Sequence, residues 1–184
     1  MAFTPPAQNA PNSSSPLITP EHAEAATICC SVFEQSVVPD LCRGHERADP
    51  KLTLSERSRI TNTFFLAWRI LLATQFNDLP IAQEHVKGLS PADLLYVREV
   101  ALFMCNNVRD TQHDEIKKLM GYTANGNVWE KWINLLTATH ACFQDVGMSI
   151  HQPDYAPLGL GLLFDDWKET YVDTQVEAYQ KLLN

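Results

Sequence analysis

Apolar residues recur along this chain at helical spacing, and turn chemistry divides them into separate helices. In LTLSERSRITNTFFLAWRILLATQF, residues 52 to 76, the positions Ile60, Phe64, Trp68, Leu71, Leu72 and Gln75 follow one another at helical intervals. Thr53 with Glu56 three residues later is a capping box, in which each residue's side chain satisfies an orphan N–H of the other. Phe65 and Leu66 widen the apolar arc, so this helix is expected to be central and touched on more than one side. An aromatic stripe at this spacing is core far more often than it is the wall of a reactive pocket. Trp68 is therefore read as a packing residue.

LSPADLLYVREVALFMCNNV has the same grammar. Ser90 caps, Pro91 takes the first turn, Asp93 can reach back, and Leu94, Val97, Ala101, Met104, Cys105 and Val108 line one face. Upstream, TPEHAEAATICCSVFEQSVV opens a helix with Thr19 as cap, Pro20 in the first turn and Glu21 at the positive end of the dipole; Pro39 ends it near Val38. DEIKKLMGY predicts a short helix stopping at Gly121. NGNVWEKWINLLTATHACFQDVG predicts a longer one, with Trp129, Trp132, Ile133, Leu136, His140 and Phe143 as its stripe and Gly147 closing it. PLGLGLLFDDWKETYVDTQVEAYQKLL adds one or two terminal helices. Strand-like alternation between hairpin turns is lacking. The expected fold is all-α, a single compact bundle of about five to seven helices. It is expected to occupy residues 19–184, after a flexible Pro-, Ser- and Asn-rich tail at 1–18 with too little apolar area to offset its ordering entropy.

Charge narrows the function classes. Fourteen basic and 22 acidic residues give a net charge of −8, which argues against a broad phosphate-binding surface and hence against nucleic acid. RGHER (Arg43 to Arg47) brings only two arginines and does not reverse this. No apolar run approaches the roughly 18 residues of a membrane span. MAFTPPAQNAPNSSSP has neither the basic nor the apolar region of a secretory signal, so an intracellular protein, cytoplasmic or nuclear, is expected. The five cysteines are scattered and odd in number, which predicts buried free thiols instead of a disulfide framework.

Candidate chemistry is local and each instance has a plainer explanation. Asp110, His113, Asp114 and Glu115 lie close together, but neighbours on a helix point about 100° apart, and acid at a helix start follows from the dipole. Cys42 and His45 have zinc-ligand spacing, yet the available second pair, Cys29 and Cys30, is adjacent within a helix and diverges. Asp165, Asp166 and Glu169 have the D-D-x-x-E spacing that holds magnesium in helical isoprenoid synthases, without a second metal-binding motif. A solvated acidic face is the plainer reading. His140 and Cys142, two residues apart, do not share a helix face, and His140 falls on the apolar stripe as a core histidine.

LSERSRITNTFFLAWRILLATQF, LSPADLLYVREVALFMCNNV and LGLGLLFDDW, in that order, resemble the helical region after the F-box in many fungal F-box-like proteins. Those proteins carry an LSPTERYRIRRALYRF-type helix, then an LSPWE helix, and later a Gly-containing GYVFWD stretch. The matching positions are Leu54, Ser55, Glu56, Arg59, Ile60 and Phe64, then Leu89, Ser90 and Pro91, then Gly161, Phe164 and Asp165. The similar pieces lie between about residues 20 and 170. Two departures matter. Residues 1–19 contain no F-box hairpin, and Ala92 and Asp93 stand where the family pattern has Trp and Glu. The resemblance therefore implies the partner-facing helical part alone, a part that recruits and does not catalyse, and it does not carry ubiquitin-ligase function across.

The expected function is that of a non-catalytic, acidic, intracellular protein-interaction module that recruits or scaffolds a protein partner with a basic surface. No catalytic, metal or cofactor-binding residue is assigned, and no cofactor. One alternative is a small metal-dependent or small-molecule-binding helical enzyme using Asp165, Asp166 and Glu169. Another is a homo-oligomeric structural protein in which Trp129 and Trp132 form an interface. On this reading Trp68→Ala lowers unfolding free energy by about 3–5 kcal/mol, measured by denaturant titration, whereas Asp165→Ala leaves it nearly unchanged.

Overall fold

Cap chemistry decides where the helices begin. The computed structural model describes residues 23–24, 26–35, 51–73, 79–108, 128–149, 164–165 and 172–184. Among them are six helices and no strand, so the chain is all-α. In chain order these are α1 (residues 26–35), α2 (Leu54–Ala73), α3 (Leu79–Lys87), α4 (Pro91–Val108), α5 (Val128–Asp145) and α6 (Asp173–Leu183). The expected tail, the cap at Thr19 and the short helix ending at Gly121 lie outside the described residues.

Thr53 caps α2 in the anticipated way. The Thr53 N–H donates to Glu56 Oε2 at 2.8 Å, and the Glu56 N–H donates to Thr53 Oγ1 at 3.2 Å. At α4 the Asp93 N–H donates to Ser90 Oγ (3.1 Å), and that hydroxyl in turn donates to the Asp93 carboxylate (2.7 Å). Helix α5 ends on Gly147, whose φ of 71° lies in the left-handed region that favours glycine. The Gly147 N–H bonds the Gln144 carbonyl and the Met148 N–H bonds the Phe143 carbonyl, a Schellman ending that satisfies two orphan acceptors.

The side-chain contacts set the helix directions. Phe103 of α4 meets Phe64 of α2, and Tyr96 lies near Arg59, so α2 and α4 run parallel. Cys29 lies beside Trp68, Cys30 beside Thr61, and Glu34 pairs with Arg57; α1 therefore runs antiparallel to α2. Helix α4 packs against α2, α5 and α6, and α3 packs along α5. From Leu94 to Met104 only Arg98 and Leu102 keep partial exposure. That enclosure requires a sequence apolar nearly all round, which LLYVREVALFM supplies apart from Arg98 and Glu99.

An aromatic cluster joins the chain's distant parts. Phe33 contacts Phe64, Phe103 and Phe164 at centroid distances of 6.3, 5.2 and 6.3 Å, and all four rings are buried. On the α2–α5 side, Trp68 and Trp132 meet edge to face at 5.4 Å. Helix α6 buries no residue of its own and rests on the body through Val176 and Tyr179, the latter against Phe143.

Three details differ from the sequence expectation. Helix α3 was not anticipated; it is nine residues long and buries only Ala82 and Val86, with Pro80 in its first turn. Helix α4 is enclosed on more sides than α2. Helix α5 buries Lys131, Trp132, Leu135, Ala138, Thr139, Cys142 and Phe143, a face about 100° from the expected stripe, so His140 is exposed and is not a core histidine. Small residues explain the rotation: Ala138 and Thr139 allow close approach where α5 faces its neighbours, and the Thr139 hydroxyl is satisfied by the Leu136 carbonyl at 2.8 Å. Because Phe33 touches all three other rings, Phe33→Ala should lower unfolding free energy by about 3–5 kcal/mol in denaturant titration; a loss under about 1 kcal/mol would show the ring to be dispensable.

Candidate functional site

The densest polar arrangement lies at the N-terminus of α2. Glu56 is 1% exposed, and its two carboxylate oxygens serve two different parts of the chain. Oε2 accepts the Thr53 N–H, closing the capping box, while Oε1 accepts the Asp165 N–H at 3.1 Å. The Asp165 side chain then turns back onto the same helix. Its Oδ2 accepts from Thr53 Oγ1 (2.9 Å) and Ser55 Oγ (2.6 Å), and its Oδ1 accepts from Arg59 Nη2 (2.8 Å). Residues 53, 55, 56 and 59 fall on adjoining positions of the first turns, which is why one acidic residue reaches them all.

This clasp holds its own electrostatic balance. Partial burial pushes the Asp165 carboxyl up, but hydrogen bonds from Ser55, Arg59 and Thr53, with the charge of Arg59, outweigh it and hold the group below its ordinary value. The positive end of the α2 dipole favours the same anion. The residue before it, Phe164, is the ring that completes the aromatic cluster. Polar clasp and apolar anchor are thus neighbours in sequence.

The expected solvated acidic face at Asp165 is therefore corrected. Its side chain keeps 41% exposure, but both oxygens are engaged, and a guanidinium sits where the metal reading would place a cation. Asp166 and Glu169 lie outside the described residues, as do Cys42, His45, Asp110, His113, Asp114, Glu115 and Gly161. Among the described residues no group of three or more His, Cys, Asp or Glu side chains is placed to hold a metal ion. Cys29 is buried and its thiol pushed up to about 12, chiefly by burial, which leaves it protonated. Cys142 is buried while His140 is exposed, so they form no pair. Trp132 is wholly buried within the monomer, which removes it from the surface the oligomer reading needed; the Trp129 side chain lies outside the described residues.

One buried acid escaped the sequence reading. Glu99 on α4 is 0% exposed, with Oε1 accepting from Arg98 Nη1 at 2.5 Å and Oε2 bonded to no group among the described residues. Burial pushes its carboxyl up to about 8, against the opposing pull of Arg98. The signal was present as a charged pair within the apolar run LLYVREVALFM. Around the clasp, burial also raises the Tyr96 phenol; Arg59 offsets this, and Asp173, Asp93 and Asp165 reinforce it.

No protein-family model, no curated protein and no solved structure matches the chain. Among the described residues, no helix is long and apolar enough to cross a membrane.

Two measurements follow from this geometry. Asp165→Ala should lower unfolding free energy by about 1–2 kcal/mol at neutral pH, the low part of the range for charge-assisted bonds because water reaches much of the carboxylate. This replaces the near-neutral effect expected from sequence. Glu99 has the opposite sign: its folded pKa is raised, so the protonated form is favoured, and its contribution is complete below about 4.5 and is lost as pH rises towards about 8. In thermal melts at several pH values, Glu99→Gln should gain on the parent across that interval. A constant difference between the two proteins from pH 5 to 8 would contradict the assignment.

Proposed function

We propose that the chain is a non-catalytic helical protein-interaction module, related to the helical region that follows the F-box in fungal F-box-like proteins. The supporting observation is the use to which the resembling residues are put. Ser55, Glu56 and Arg59 from one motif and Asp165 from another, more than 100 positions away, bond to each other. Ile60, Phe64 and Phe164, from the same motifs, are buried in the core that contains the aromatic cluster. These motif residues thus serve architecture, and Asp165, the described member of the metal reading, is committed to holding two segments together. A recruiting module needs this and little else: a rigid body that presents a surface.

The partner fitted to a chain of net charge −8 carries a basic surface, and an intracellular setting, cytoplasmic or nuclear, is part of the same reading. Affinity capture with the full chain, followed by identification of retained proteins, tests this. The expected result is a defined protein whose retention falls as ionic strength rises from about 0.1 M to about 1 M, over which the Debye length shrinks from about 10 Å to about 3 Å. Stoichiometric magnesium, manganese or zinc in the purified protein, together with no salt-sensitive partner, would favour the enzyme reading instead.

A further inference from the structure

The apolar stripe of α6 leaves the body by degrees. Val172, Val176, Tyr179 and Leu183 follow one another at spacings of four, three and four, which sets them along one side of a helix. Val172, just before the helix, is 0% exposed, Val176 and Tyr179 are partly buried against the core, and Leu183 is 58% exposed. No residue of α6 itself is buried. Its two ends are held differently. At the inner end Asp173 lies in the field of Tyr96, and Asp173 and Thr174 have further interactions of their own. From Gln175 to Asn184, no side chain hydrogen-bonds or ion-pairs with another helix among the described residues, and Asn184 bonds back to the Gln180 carbonyl. The ring contact on this stretch is Tyr179 against Phe143, at 5.3 Å, and Phe143 is 1% exposed beneath it.

We propose that α6 is a strap hinged at its inner turn: the part from Gln175 to Leu183 lifts from α5 and uncovers Phe143 while α2, α4 and α5 stay packed. Little holds the strap down. Hydrophobic stabilisation scales with the apolar area removed from water, and Val176 and Tyr179 are only partly covered. Docking also leaves Gln175 Oε1 buried with no hydrogen-bond partner among the described residues, a cost that ends once water reaches it. A helix of 11 residues is marginal in water by itself, so the lifted strap frays and gains conformational entropy. The Phe33–Phe103, Phe64–Phe103 and Trp68–Trp132 pairs involve no residue of α6. One fold thus offers two surfaces. With the strap down Phe143 is hidden; with it lifted, Phe143 and the underside of the stripe face water.

The test is hydrogen exchange on the full chain at neutral pH, read peptide by peptide over α4, α5 and α6. In the parent, the amides of 176–183 should exchange faster than those of α4 and α5 by about tenfold or more. Gln175→Met keeps the length of the side chain and removes the unbonded oxygen, and should slow exchange in α6 by about fivefold. Tyr179→Ala removes the ring that rests on Phe143. It should speed exchange in α6 by about fivefold and raise the fluorescence of a hydrophobic dye by about twofold, with α4 and α5 unchanged. Leu183→Ala, at the bare end of the stripe, should alter neither readout. Exchange in α6 as slow as in α4 and α5 would overturn the proposal, since the strap would then open only with the whole fold. So would a Tyr179→Ala chain in which α4 and α5 speed up together with α6, or a Gln175→Met chain in which α6 is unchanged. None of these readouts measures partner capture, so the strap and the recruiting role fail separately.

Discussion

A single buried carboxylate, that of Glu56, satisfies its own helix terminus and an amide 109 residues further along the chain. Burying an ionisable group is costly unless hydrogen bonds compensate, and here each oxygen accepts a backbone N–H. The consequence reaches past the helix end. The second bond fixes the backbone at Asp165, which sets Phe164 against Phe33, and Phe33 touches rings from α2 and α4. The start of α2, the antiparallel α1 and a segment late in the chain are thereby held in one place by chemistry that begins as an ordinary cap.

What could be read from sequence was what depends on near neighbours. The Thr53–Glu56 box, the Ser90 cap, the Gly147 stop and the core positions of Ile60, Phe64 and Trp68 all follow from spacings of three or four residues. The orientation of α5 was not legible by the same means. Apolar residues lie on several sides of that helix, and the side that packs is chosen by the small Ala138 and Thr139, which hydrophobic periodicity underweights. Helix α3 escaped because two anchors, Ala82 and Val86, make too weak a pattern, and Pro80 reads as an interruption when it is in fact a first-turn proline.

The clasp itself was half legible. Its α2 side announces itself as a capping box; its other side, Asp165, lies 106 residues or more from each partner and was read as part of an acidic surface. Local pattern cannot distinguish a solvated carboxylate from one with remote donors. Glu99 was missed for the converse reason, since a charged residue is assumed to face water, yet α4 is enclosed so fully that one of its charges is trapped. Such a group lowers stability at neutral pH.

The central claim is that the Glu56 cap and the Phe164 ring work as one unit across the length of the chain. A double-mutant cycle between Glu56→Gln and Phe164→Ala, read as unfolding free energy, tests it most directly. The account predicts a coupling of about 0.5–3 kcal/mol, as for groups in contact or in one network, whereas effects that add to within about 0.3–0.5 kcal/mol would show the two to be independent and would contradict it.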